Sequence, residues 1–182
     1  MIRSLLDKLH VFQWIFPYTC LLCSQKSDRT LDLCSACEND LPGITSVCQQ
    51  CGTPISETTM RCGKCLKTPP AFDRLIAPFS YEPPIQRLII DLKFHHQLVN
   101  AKILGSLLAK RLSDIEKPDI IIPVPLHKKR LRERGFNQAL EIAKPIAKHL
   151  NLPLDRLSCM RIRHTEPQSL TPAKLKHKNV KR

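Results

Sequence analysis

Eight of the nine cysteines in this 182-residue chain stand in four C-x-x-C pairs, Cys20/Cys23, Cys34/Cys37, Cys48/Cys51 and Cys62/Cys65. Ten residues separate each pair from the next, so the first members recur every fourteen residues. Two thiolates three positions apart on a tight turn can both point at one tetrahedral Zn²⁺, and two such turns complete a Cys₄ site. The array therefore predicts two structural zinc ions held by all eight residues. Closed Cys₄ sites leave no position open for a substrate or an activated water, which argues against catalysis at these metals. A disulfide scaffold also uses an even number of cysteines, but it belongs to small secreted domains. The opening residues, interrupted by Asp7, Lys8 and His10, do not read as a secretory signal. A thioredoxin-like redox pair accounts for one C-x-x-C and leaves three without a purpose. Spacing alone leaves the pairing open between two consecutive ribbons and a cross-braced module, and the shorter loop closures favour consecutive ribbons. Gly52 and Gly63, each directly after a cysteine, suit the positive φ and close approach that zinc knuckles often require. Cys159, beside Leu157 and Met160, reads as a small buried hydrophobe.

The second chemical signal is charge. The formal net charge is +13, and it is uneven: residues 1–70 carry 7 Lys+Arg against 6 Asp+Glu, residues 71–182 carry 22 against 10. Eight zinc-bound thiolates and their two dications would lower the total by four, to +9, all of it taken from the less basic half. A basic surface of this kind attracts phosphates, as a small phosphorylated ligand or as a nucleic-acid backbone. Five Lys/Arg, residues 128, 129, 130, 132 and 134, crowd one short segment. Lys128, Lys129, Arg130 and Arg134 are accordingly candidates for phosphate or pyrophosphate binding. No stretch is apolar for long enough to span a membrane. Ile2, Leu5, Leu6 and Leu9 share one helical face, so residues 1–17 are expected to form a short amphipathic helix and the protein to be cytoplasmic.

These residues need elements to hold them. Residues 18–68, with few apolar side chains between the knuckles, bury too little to fold unaided, and metal binding would supply the missing energy. After Pro69-Pro70 the pattern changes, and residues 71–182 alternate apolar runs and amphipathic stretches. Leu75, Ile76, Ala77, Phe79 and Tyr81 read as a strand. Pro84 can open a helix carrying Leu88, Ile89 and Leu92, and a second helix carries Ile103 to Leu112. Asp119 to Ile122 is a short continuous apolar run, as a strand buried on both faces of a parallel sheet should be. A basic loop from Pro123 to Gly135 follows, then a helix carrying Phe136, Leu140, Ala143, Ala147 and Leu150, in which Pro145 predicts a kink or an early end. Strand, basic loop and helix in that order place anions beyond the carboxyl end of a strand, facing loop amides and a helix N-terminus. The 5% aromatic content argues against a surface built for stacking on single-stranded nucleic acid.

The four C-x-x-C pairs, Leu92-Lys93-Phe94, Pro123-Val124-Pro125-Leu126, Arg134-Gly135-Phe136-Asn137-Gln138, and the later Thr165, Gln168, Leu170 and Asn179 together resemble the ComF family of competence proteins along the whole chain. The resemblance implies an α/β fold: an N-terminal double zinc ribbon followed by an incomplete phosphoribosyltransferase-like parallel sheet with flanking helices. It implies a role in natural transformation and the handling of incoming DNA, with single-stranded DNA and competence machinery proteins as partners. It makes Pro123 to Arg130 the pyrophosphate-side loop and adds Gln138 to the phosphate-binding residues at the helix entry. Lys176 stands where the family pattern suggests Arg, which loses a planar two-pronged donor. The later strand with two acidic residues and the Thr/Gly-rich loop that hold phosphoribosyl pyrophosphate in such enzymes have no match before Arg182. The chain is thus expected to be the front portion of a family member, leaving an apolar edge at Ile120 to Ile122 and reserving phosphoribosyl pyrophosphate for a full-length form. The other functional readings are a phosphoribosyltransferase acting on a base or amine, and a zinc-ribbon nucleic-acid-binding protein without catalysis.

Overall fold

The computed structural model describes residues 16–56, 59–165 and 172, so the amphipathic stretch of residues 1–15 and Gln168, Leu170, Lys176 and Asn179 lie outside the described residues. Among the described residues six helices follow one another: α1 (Ser35–Asn39), α2 (Gly63–Lys67), α3 (Ile85–Phe94), α4 (Val99–Leu112), α5 (Lys128–Arg134) and α6 (Gln138–Leu150). The helices expected from apolar periodicity are present as α3, α4 and α6. α4 packs on both α3 and α6.

Close approach of α4 to α6 depends on Gly105. A Cβ there would sit 2.3 Å from Pro145 Cγ and 2.4 Å from the Ile142 carbonyl oxygen, so only hydrogen fits. α6 does not end at Pro145; it runs on to Leu150, and Asn151, in the left-handed region at φ +51°, terminates it. The proline ring instead fills the space that Gly105 leaves. On the opposite flank, fully buried Asn100 of α4 donates from Nδ2 to the Leu88 carbonyl of α3 at 3.1 Å, tying the two helices by a polar bond inside an apolar seam.

The main core gathers Ile85 and Leu88 of α3, Ile103 and Leu107 of α4, and Cys20, Leu31, Leu33 and Leu41 of the N-terminal zinc region. That region therefore shares its interior with the helices. The few leucines between the first two cysteine pairs are buried against α3 and α4, which supply the apolar surface their own segment lacks.

The parallel sheet expected from the sequence is not seen. Among the described residues, extended pairing is limited to isolated bridges, three antiparallel (Thr19 with Lys26, Gly43 with Phe79, Val47 with Pro54) and one parallel (Ile121 with Leu154). The segment around Phe79 pairs with the chain near Gly43, through Ile44 N to Pro78 O at 3.1 Å and Ser80 N to Pro42 O at 2.9 Å, and does not enter a sheet with residues 119–122. Ile121 is bonded to the other side of α6, donating to Pro153 O at 2.9 Å and accepting from Asp155 N at 3.0 Å. Ile120 and Ile122 remain partly exposed rather than buried on both faces. A strand is buried on both faces only inside a sheet that has elements packed above and below it, and a single bridge makes no such sheet.

Candidate zinc centres and basic face

The cysteines gather as consecutive pairs: Cys20, Cys23, Cys34 and Cys37 form one cluster, Cys48, Cys51, Cys62 and Cys65 the other, with all sulfurs of each within 4.8 Å of one another. Tetrahedral Zn–S bonds of about 2.3 Å require S···S edges of about 3.8 Å. Cys23 Sγ to Cys34 Sγ is 3.8 Å and Cys51 Sγ to Cys62 Sγ is 3.6 Å, so both cages have the size of a zinc tetrahedron.

Both cages are cut from one backbone template, shifted from Cys20 to Cys48. Cys20 N donates to Gln25 O and Cys48 N to Thr53 O, both at 2.8 Å; Ser24 N donates to Cys20 O at 2.8 Å and Gly52 N to Cys48 O at 2.9 Å. The turn puts the residue after the second cysteine at positive φ, +60° at Ser24 and +69° at Gly52. Gly52 thus does what its type suggests, whereas Gly63 lies inside α2 with ordinary helical geometry, and its position needs no glycine. The third cysteine in each cluster, Cys34 or Cys62, stands at the N-cap position of the short helix carrying the fourth, and Cys34 Sγ also accepts from Cys37 N.

Four sulfurs this close cannot all ionise against one another, and the backbone decides which do first. Burial alone would raise Cys20, but the amides of Cys34, Cys23 and Leu22 outweigh it and hold the thiol at about 6. Cys48 is lowered to about 6, chiefly by the amides of Cys51 and Cys62. The neighbouring Cys34 sulfur, with burial and the Cys23 and Cys20 sulfurs, drives Cys37 far up. Burial first, then the sulfurs of Cys51, Cys62 and Cys48, pushes Cys65 to about 12. A dication at the centre removes that conflict, since it stabilises all four thiolates together. Four thiolates in a closed tetrahedron are the donor set of a structural zinc.

The basic segment is a helix, where the sequence suggested a loop. His127 caps α5, its ring accepting from Lys129 N at 3.3 Å, and Gly135 at φ +78° ends it. Asn137 then caps α6, its side chain accepting from Ala139 N at 3.0 Å and donating to Val124 O at 3.0 Å, which fixes where the second helix starts. Lys128 and Lys129 are exposed in the first turn of α5. Arg130 bonds Glu133 at 2.9 Å and thereby lowers that carboxyl. Arg134 is partly buried over the Phe94 ring, 5.8 Å from its centroid. Gln138 is 7% exposed, and its Nε2 has no hydrogen-bond partner.

A double zinc ribbon domain matches residues 11–66. The DNA utilization protein YhgH of Salmonella typhimurium is 34% identical over 172 residues, covering 91% of this chain and 76% of the relative. Competence protein F of Haemophilus influenzae is 31% identical over 173 residues, 91% of this chain and 75% of the relative. The chain belongs to the ComF family of competence proteins. Competence protein ComFC of Bacillus subtilis is a more distant relative, 26% identical over 168 residues, 79% of this chain and 68% of the relative. No solved structure shows significant similarity to this chain.

In this ComF protein the two clusters, within a double zinc ribbon domain, fit two structural zinc ions. Of the phosphate candidates, Lys128, Lys129, Arg130 and Arg134 share α5, whereas Gln138 is inside the first turn of α6. Among the described residues no helix is long and apolar enough to cross a membrane. Sequence reasoning found no role for Phe94 or His96 and placed Phe136 in the following helix, which starts only at Gln138; Phe94 lies under Arg134 at the end of α5, and His96 and Phe136 are 5.8 Å apart at 69°. A low aromatic fraction hid them, because composition counts residues and says nothing of where they converge.

Proposed function

We propose that this ComF protein serves competence by binding the phosphate backbone of incoming single-stranded DNA on the face made by α5 and the N-terminus of α6. What carries the reading is the concentration of Lys128, Lys129, Arg130 and Arg134 on one seven-residue helix that ends at the start of another. The thirteen-residue α6 directs its positive end toward that junction, and Gln138 adds a buried amide donor with no partner. Both ribbons are scaffolds in this account, since their closed cages offer nothing to a ligand.

The parallel bridge between Ile121 and Leu154, with α5 and α6 in between, supports the phosphoribosyltransferase-like arrangement, because a parallel pair joined across a helix is the β-α-β unit of such folds. α5 would then stand beyond the carboxyl end of the first strand, where ligands of open α/β sheets collect. The pyrophosphate of phosphoribosyl pyrophosphate is a second anion suited to that place.

Binding of an unstructured oligonucleotide measured across a salt series tests the reading. Phosphate contacts give a slope of about −0.7 per contact for single strands in log K against log salt. Exchanging Lys128, Lys129, Arg130 and Arg134 for Glu should weaken binding for all sequences alike and reduce that slope by about 2 to 3. An unchanged slope removes this face from the binding surface.

A further inference from the structure

We propose that Phe94, His96 and Phe136 form a base-stacking platform beside α5, so that a single strand is held by its bases as well as by its phosphates; this rests on the α5 phosphate face proposed above. Three observations converge. Phe94, the last residue of α3, is 57% exposed although it is a large apolar ring at the edge of a packed core. His96, also exposed, is held at φ +58°, a backbone region that residues with side chains adopt sparingly, directly after α3. Phe136 is the single residue between Gly135 and Asn137, the cap of α6, and meets the His96 ring edge-on. Arg134 joins the two groups, being the last residue of α5 and lying over Phe94.

The chemistry selects the ligand class. Exposed aromatic faces gain nothing from phosphates, and lysines and arginines gain little from apolar partners. A ligand satisfying both must present flat π-faces and a polyanionic chain within a few ångströms of each other. Single-stranded nucleic acid does so, whereas a duplex keeps its base faces stacked internally. A guanidinium over an aromatic ring is itself a stacking surface, so Arg134 can serve both halves of the site, with its charge turned to the backbone. Because every base has a π-face, the platform adds affinity with little sequence preference, as a protein handling arbitrary incoming strands needs.

The test compares two probes on the zinc-loaded full chain: an oligothymidylate, and a strand of the same length and charge whose sugars are abasic. Wild-type protein should bind the oligothymidylate more tightly by roughly tenfold or more, the weight of one or two stacked bases. Phe94→Leu, which keeps an apolar side chain and removes the ring, should abolish most of that advantage and leave the abasic strand unaffected; Phe94→Tyr should restore it. His96→Ala provides a second variant, outside any helix, should Phe94→Leu lose its helical signal. Equal affinity of the wild type for both probes, or a loss in Phe94→Leu and His96→Ala that is the same for both, overturns the platform. Lys128→Glu with Lys129→Glu should weaken both probes alike. If that pair changes neither, the phosphate face is wrong, whatever Phe94 does.

Discussion

The two zinc ribbons share one backbone and lead different lives. Shifting Cys20 onto Cys48 superposes the hydrogen bonds of the knuckles, the positive-φ turn and the short helix, yet the first ribbon belongs to the main core and the second does not. The substitutions between the copies explain why. Leu22, Leu31, Leu33 and Leu41, which pack in or against the core, correspond to Gln50, Thr59, Arg61 and Pro69. Glu38, which reaches Lys110 of α4 at 2.7 Å, corresponds to Leu66, 68% exposed. The second ribbon instead contacts the linker that follows it: Gln50 Nε2 donates to Phe72 O at 3.3 Å, and a Cβ at Gly52 would meet the Leu75 side chain at 2.6 Å. Metal cages specify how a ribbon folds, and the residues between the cysteines decide what it folds against.

The largest expected difference follows from removing one metal at a time. A structural zinc contributes on the order of 10–16 kcal/mol of folding free energy, against about 5–15 kcal/mol for the net stability of a domain. Because Cys20 and Leu33 lie in the same core as α3 and α4, Cys34→Ser should lose helical structure throughout the chain as well as a zinc ion. Cys62→Ser should reduce the metal content from two to one and leave α3, α4 and α6 intact. Metal analysis with far-ultraviolet circular dichroism separates the two. Similar melting of both variants would break the comparison.

A smaller effect isolates packing from metal binding. Leu33 is fully buried in the core cluster, so Leu33→Ala should cost about 2–5 kcal/mol by lost burial plus cavity. Its counterpart Arg61 is exposed, and Arg61→Ala should stay within about 0.5 kcal/mol. Chemical denaturation of the zinc-loaded protein measures both. Equal costs would mean that the template, and not these side chains, sets each ribbon's share of the stability.

What the sequence made legible divides along the same line. Ligand identity and the three amphipathic helices are local signals, readable from spacing and period, whereas the equal spacing left the pairing open and only loop length favoured the consecutive one. The fates of Leu31, Leu33 and Leu41 were not readable: a few leucines among knuckles look too sparse for a core, and their partners Ile85, Leu88, Ile103 and Leu107 lie more than forty residues onward. α5 could have been found, since Lys-Lys-Arg-Leu-Arg-Glu-Arg consists of good helix formers closed by Gly135, but a run of like charge drew attention to its ligand rather than to its backbone. The apolar run at Ile120 to Ile122 specifies an extended segment without specifying neighbours, so it could not by itself predict a sheet.

The smallest expected effect tests the polar joint between the first ribbon and α4. Glu38 bonds Lys110 Nζ at 2.7 and 3.1 Å and pairs with Arg29, which in turn donates to Leu33 O at 2.7 Å and Cys34 O at 3.0 Å. Partial burial alone would raise the Glu38 carboxyl, but bonds from Lys110 and Arg29 prevail and hold it below the usual glutamate range. A depressed carboxyl stabilises the fold above its unfolded-state value, and that contribution disappears as pH falls through the lower folded-state value. Lys110 is 52% exposed, so solvent screens its share, and Glu38→Gln should cost only about 1 kcal/mol near neutral pH. The difference from wild type should shrink on acidification, once the wild-type carboxyl is itself protonated, provided comparison stops above the pH at which zinc is released. Leu66→Gln, the matching change in the second ribbon, should show no such pH dependence, because no carboxylate is lost there. A Glu38→Gln penalty that is constant across the acid range would mean that its charge plays no part in joining ribbon to helix.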